Sequence, residues 1–302
     1  MAVKKIVIVG LAAFVAAAAF AQGGNLRYSI MVNKFENKAG WRGRWDLGHA
    51  WGEILTDQLV QSGRFIVLGE ADMRGAAMQE QDLAASGRTA GGKKAPKMGR
   101  MTPAQLLVKG AITHVEENKS GGGLGFGFKG ITIGGSGGSA EINVTIYVVD
   151  SATGQVKGSK SVVGSSGKRG ITLGYHGSAL GGLTGDLGGF DKDNVGIATT
   201  DAINQAVQYI IAQLDSIPWE GSIALAKPDK LIINRGTREG VVPGMKFNVG
   251  KVEELVDDDT GEVLSREMTT LGTVTVTEVK EKISYTTPLA GAEKGMGVHP
   301  AK

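Results

Sequence analysis

The sequence contains no cysteine, and only 7 prolines and 4 histidines occur among its 302 residues. Without thiols there is no disulfide framework, no thiolate catalysis and no cysteine-ligated metal. The bacterial type of N-terminal lipid anchor, built on a cysteine at the cleavage point, is likewise not expected. His49, His114, His176 and His299 lie far apart along the chain, so no histidine-rich metal motif is present. Net charge is small too: the formal value is +3, with lysine and arginine spread along the chain rather than clustered as in a nucleic-acid binder. The expectation is therefore no metal, no cofactor and no nucleic-acid partner.

Catalytic motifs are missing as well. Gly121-Gly-Gly-Leu-Gly-Phe-Gly lacks the strand-turn-helix setting of a nucleotide loop, and no Gly-Lys-Ser/Thr occurs. Serine and histidine do not combine into a nucleophile elbow. Asp257-Asp-Asp-Thr-Gly261-Glu lacks the alternating oxygen ligands and closing glutamate of a calcium loop, and reads as a solvated hairpin turn. The chain is not expected to be an enzyme.

What is present begins with an export signal. Lys4 and Lys5 precede an apolar run from Ile6 to Phe20 that closes on Ala19-Phe20-Ala21, a small-x-small cleavage pattern. The run is shorter than the ~20 residues a spanning helix needs. Residues 1–21 are thus expected to be a signal peptide, cleaved before Gln22.

The following pattern alternates strand and helix signals. Leu26, Tyr28, Ile30 and Val32 have the period of a half-buried strand. After the loop Trp41-Arg-Gly-Arg-Trp45, Asp46 can cap a helix bearing Leu47, Trp51, Ile54, Leu55, Leu59 and Val60, which Gly63 ends. A short strand (64–68), a helix (70–85), a polar loop (87–100) and a strand (106–115) come next. Ala140 to Val149 alternates again, and Asp150-Ser-Ala-Thr-Gly154 turns the chain back through 155–163. A long helix is expected over 193–214, stopped by Pro218.

Glycine is abundant and uneven: 22 of the 48 lie between Gly121 and Gly189. Two hairpin candidates, 119–139 and 161–190, fall in this stretch. Leu124, Phe126 and Phe128, then Ile131 and Ile133, alternate with small or polar residues in the first, and Ile171, Leu173 and Tyr175 do so in the second. A barrel strand in a membrane needs about 9–11 residues with apolar side chains on alternate positions. These eight residues are candidates for the lipid face; the alternative is a pair of flexible glycine-rich loops. Past about Pro228 the composition shifts to short strands at 231–234, 245–252, 263–264, 271–279 and 284–287, separated by turns. Many short strands without a helix suggest a small barrel-like module over 228–302.

The order of these elements resembles the curli assembly (CsgG) family. The resemblance is carried by Met31-Val-Asn-Lys-Phe35-Glu-Asn, Leu59-Val-Gln-Ser-Gly-Arg-Phe65-Ile-Val-Leu, Leu107-Val-Lys-Gly110-Ala-Ile112 and Ile142-Asn-Val-Thr-Ile-Tyr-Val-Val-Asp150-Ser-Ala-Thr-Gly154-Gln-Val. It spans about Asn25 to Leu214. Residues 229–298 are similar to the C-terminal module of the flagellar assembly T protein, through Leu231-Ile-Ile-Asn-Arg-Gly236, Gly240-Val-Val-Pro-Gly244-Met-Lys-Phe247, Thr260-Gly-Glu-Val-Leu264 and Leu271-Gly-Thr-Val-Thr-Val-Thr-Glu-Val279.

The first resemblance implies an α+β architecture: a periplasmic α/β domain (22–227) with two hairpins that can supply transmembrane barrel strands, followed by the small all-β module. It implies an outer-membrane, homo-oligomeric ring that secretes unfolded extracellular fibre subunits. Other relatives of the fold are soluble periplasmic proteins, so a ring or scaffold of the cell envelope (flagellar, holdfast or peptidoglycan-associated) without transport is the alternative. Trp41, Arg42, Gly43, Arg44 and Trp45 fall where the family's loop narrows the pore. They would form either an aromatic and cationic constriction or a plug packed on the following helix.

Overall fold

A computed structural model describes residues 26–118, 138–166 and 193–301. The expected signal peptide, most of both hairpin candidates and all eight lipid-face candidates lie outside the described residues.

The N-terminal part is built around a six-stranded mixed sheet. Its strands are β1 (Tyr28–Val32), β2 (Glu36–Asn37), β3 (Phe65–Leu68), β4 (Leu106–Asn118), β5 (Ser139–Asp150) and β6 (Val156–Ser165). They lie in the order β3-β1-β4-β5-β6, with β2 also paired to β4. The β1–β3, β1–β4 and β2–β4 pairs are parallel; β4–β5 and β5–β6 are antiparallel hairpin-type pairs. Strand β5 shows the expected alternation: Ile142, Val144, Ile146 and Val148 are fully buried, whereas Glu141 and Tyr147 are exposed.

Helices α1 (Leu47–Ser62) and α3 (Asn194–Gln213) cover the buried side. Both starts are fixed by aspartate. Asp46 accepts hydrogen bonds from the amides of Gly48 and His49, and Asp193 from that of Val195. Gly63, at φ 63°, ends α1 in the left-handed conformation that glycine adopts most cheaply. Leu47, Trp51, Leu55 and Leu59 of α1 meet Ala198, Ala202, Ile203 and Ile210 of α3 in one core. Helix α2 (Ala71–Ala85) differs: none of its residues is buried.

The C-terminal part is a closed six-stranded barrel of β7 (Gly221–Lys227), β8 (Lys230–Ile233), β9 (Lys246–Val256), β10 (Val263–Val279), β11 (Ser284–Thr286) and β12 (Gly297–Pro300). Phe247, Val249, Val274, Val276, Ile233 and Val298 fill it, and Trp219 stacks on Phe247 with ring centroids 5.2 Å apart. The barrel differs from the sequence reading at three places. Strand β7 precedes the boundary expected near Pro228; the two segments 263–264 and 271–279 are one strand; and β12 was not foreseen. The residues between 264 and 271 are polar apart from Met268 but pair with β9 throughout, which overrides their weak strand signal.

The two parts share contacts at the barrel's base. The Tyr28 hydroxyl donates to the Ile217 carbonyl at 2.6 Å, the Arg27 amide to the Glu239 carbonyl at 2.9 Å, and the Arg238 guanidinium to Thr102 Oγ1 at 3.1 Å. Burial beside Asp215 and Glu220 pushes the Tyr28 phenol up to about 12, so it stays a neutral donor.

Candidate functional site: strand ends and the loop after the first strand

Strands β4, β5 and β6 bring the flanks of both glycine-rich segments to one end of the sheet. Asn118, the last residue of β4, pairs with Ser139, the first of β5. Glu141, two residues on, pairs with Glu116 of β4 on one side and with Ser165 of β6 on the other. The segment 119–137 therefore leaves and returns between neighbouring strands, and the segment 167–192 leaves from the strand beside them. Helix α3 receives the second segment, and Ser165 is held to it: its amide donates to the Asp201 carboxylate at 3.1 Å. Gly164 lies so close to the Ala198 carbonyl that a side chain there would collide with backbone.

A bulge in β4 follows the last residues that pair with β1 and β2. The register shifts between Ile112 and His114, leaving Thr113 unpaired. Before it, Val108, Gly110 and Ile112 are buried; after it, His114, Glu116 and Asn118 are exposed. The Asn118 amide donates to Glu116 at 3.2 Å, and His114 lies 3.8 Å from the same carboxylate. The exposed face of β4 is thus polar beyond the bulge, while β5 keeps its buried face and its pairing to β6 as far as Glu141.

The loop after β2 opens toward this same end, because β1 and β2 run parallel to β4. Its root is rigid. The amides of Lys38 and Ala39 both donate to the Ile112 carbonyl at 2.9 Å, beside the bulge. Phe35 stacks on Trp51 at 4.9 Å and fills the space that a side chain at Gly110 would need. The Asn37 side chain donates to the Trp41 carbonyl at 2.8 Å, and Lys34 pairs with Asp46 at 2.6 Å, closing the loop's base. That lysine holds the Asp46 carboxyl below its ordinary value, aided by the helix amides.

The five candidate constriction residues separate into two groups. Trp45 is only 8 % exposed and belongs to the core, with the Arg44 guanidinium 5.4 Å above its ring. Trp41 is half-buried against that core, and its ring occupies the place where a side chain at Gly43 would go. Arg42, Gly43 and Arg44 are exposed. Trp45 thus lies in the core with Leu47 and Trp51 of α1, and the two arginines stay outside it.

Sequence reasoning missed the charged cluster at the start of α1. His49 and Glu53 are 3.0 Å apart, one turn from each other on the helix, and Glu70 lies against Gly52 on the same side. Burial, then the charge of Asp72, raises the Glu70 carboxyl above its ordinary value. The i, i+4 spacing of His49 and Glu53 was the available signal. Among the described residues no group of three or more His, Cys, Asp or Glu could hold a metal ion. None of the described helices is long and apolar enough to cross a membrane, which says nothing about strands.

Asn118, Ser139 and Ser165 thus stand together at one end of the α/β sheet, beside a rigidly rooted loop. The chain belongs to the CsgG family, described as the curli production assembly/transport component, whose profile matches residues 14–228. No curated protein matches. Among solved structures, the chain is similar to the hypothetical protein CT253 from Chlamydia trachomatis, with 12 % identity and a TM-score of 0.38 over 63 % of this chain and 99 % of that one. It is also similar to the PelC dodecamer from Paraburkholderia phytofirmans, with 16 % identity and a TM-score of 0.25 over 45 % of this chain and 72 % of that one. Lipoprotein GNA1162 from Neisseria meningitidis gives 14 % identity and a TM-score of 0.26 over 63 % and 99 %. Overlaps this loose carry no functional argument.

Proposed function

We propose that the chain is a subunit of an outer-membrane, ring-forming channel that passes unfolded secreted protein. One observation carries this reading: both glycine-rich segments are rooted at the same end of three adjacent strands, two of which form the β4–β5 ribbon. Four further strands per subunit, growing from these roots, would close into a barrel once several copies stand around an axis. Family membership supports the same reading.

In such a ring the loop after β2 stands at the barrel's mouth. Arg42 and Arg44 would repeat around the axis as a positive collar, favouring anions and acidic unfolded chains. The buried Trp45 and half-buried Trp41 hold the loop's shape rather than line the opening. The role is one of passage and assembly, without a catalysed reaction.

Detergent dependence tests the reading. The mature chain should fractionate with outer membranes and need detergent to remain a dispersed ring. Recovery as a soluble periplasmic protein, oligomeric or not, would replace the channel with an envelope scaffold.

A further inference from the structure

Two described elements are left without a covering partner in the subunit. The first is the outer half of the β9–β10 ribbon. Strand β12 pairs with β9 only as far as Gly250, and β11 pairs with β10 only from Val276 onward. Among the described residues, Lys251–Val256 and Val263–Thr270 pair as strands only with each other, so the outer edges of both segments lack a strand neighbour. The ribbon's far end exposes Leu255 (62 %) and Leu264 (57 %). It finishes in a tight turn where Asp257 accepts from the amides of Asp259 and Thr260 at 2.8 and 3.0 Å. Asp257, Asp258, Asp259 and Glu262 crowd this turn with no base among them.

The second element is α2 with the loop that follows it. The helix buries nothing and exposes Met73, Met78 and Leu83. The loop from Gly87 to Arg100 carries Arg88, Lys93, Lys94, Lys97 and Arg100 and no acidic residue. All five bases are exposed, and none pairs with an acid among the described residues.

We propose that these two surfaces are the two halves of one contact between copies: the acidic β9–β10 tip of each subunit docks on α2 and the basic loop of the next. The inference rests on the ring reading above and names one of the ring's interfaces. Each surface pairs exposed apolar side chains with charge of one sign, and the signs are opposite. Such a contact between unlike surfaces is head-to-tail, the type that generates rings when its rotation closes. Burial of Leu255 and Leu264 against Met73, Met78 and Leu83 supplies affinity. The charges steer the approach and fix the register.

The chain has no cysteine, so introduced thiols report the contact directly. In a variant carrying Asp258→Cys and Lys94→Cys, a short bis-maleimide is expected to give a ladder of covalent oligomers that ends at the ring size found by light scattering. A cross-linked monomer of altered mobility, or intact rings without cross-links, would overturn the contact while leaving the ring reading standing. A parent chain that is monomeric in every detergent and salt would instead overturn the ring reading and the contact with it. Charge reversal provides the second arm. Asp257→Lys, Asp258→Lys and Asp259→Lys together should weaken self-association by about tenfold or more, and adding Lys93→Glu, Lys94→Glu and Lys97→Glu should restore it. Equal assembly of all three proteins would overturn the proposal.

Discussion

The β4–β5 and β9–β10 ribbons are built alike and composed differently. Each is a long antiparallel pair with a register shift near the point where one of its strands loses an outer neighbour: between Ile112 and His114, past the last pairing with β2, and between Thr270 and Gly272, opposite the last pairing of β9 with β12. Beyond Asn118 the sequence becomes glycine alternating with Leu124, Phe126 and Phe128, with charge only at Lys119 and Lys129. Beyond Val256 it becomes Asp257-Asp-Asp-Thr-Gly-Glu262. The first composition suits an apolar surrounding and the second suits water or a basic partner. One backbone device is thus used twice, and the side chains at its tip decide what it meets.

The largest expected effects come from cutting the roots. Trp51 and Phe247 are almost fully buried, each stacked on a second aromatic ring. Trp51→Ala and Phe247→Ala should each cost about 3–5 kcal/mol. Because the described core runs without a break from the sheet into the barrel, both should shift a single denaturant transition. Two separate transitions, each moved by only one variant, would show that the regions unfold independently.

Next come the tips. Phe126→Asp should cut the yield of membrane-inserted rings, since an ionised group on a lipid face costs up to a few kcal/mol. The equivalent change on the second ribbon, Leu255→Asp, should leave the subunit's thermal midpoint nearly unchanged, because the side chain is already exposed. Equal insertion of parent and Phe126→Asp chains would break the comparison.

A smaller effect is expected at the start of α1. Asp46→Ala removes a side chain that caps two amides and should cost about 1 kcal/mol. Because its folded carboxyl is held below the ordinary value, chiefly by the hydrogen bond from Lys34, Asp46 stabilises the fold above the unfolded carboxylate range. That contribution is lost as pH falls through the lowered folded value. Asp46→Asn, which keeps an acceptor without the charge, should therefore lose less stability on acidification than the parent. A parallel acid limb in both proteins would remove the role given to Lys34. The smallest effect on the fold is expected from Arg42→Ser with Arg44→Ser, within about 0.5 kcal/mol by calorimetry, since both side chains are exposed.

Much of the α/β part was legible because its signals were local. Asp46 and Gly63 bound α1 as their chemistry requires, and the alternation of Ile142 to Val148 marked both the strand and its buried face. What was not legible depended on pairing. Strand β7 gave no strand signal because Gly221, Ser222 and Ala224 have weak strand preference, yet β8 and β12 flank it. The family resemblance left Trp45 between constriction and plug; its burial in the core beside α1 is a tertiary fact that the loop's own residues do not encode. The bulge at Thr113 and the meeting of Asn118, Ser139 and Ser165 at one end of the sheet follow from register, which no single strand encodes.

Planar-bilayer recording of the purified, detergent-extracted oligomer tests the central claim most directly. Discrete conductance steps with anion preference are predicted for the parent chain, with the preference reduced or reversed by Arg42→Ser and Arg44→Ser together. A verified ring that shows no discrete conductance would contradict the channel. A conducting ring whose selectivity ignores both arginines would contradict the collar.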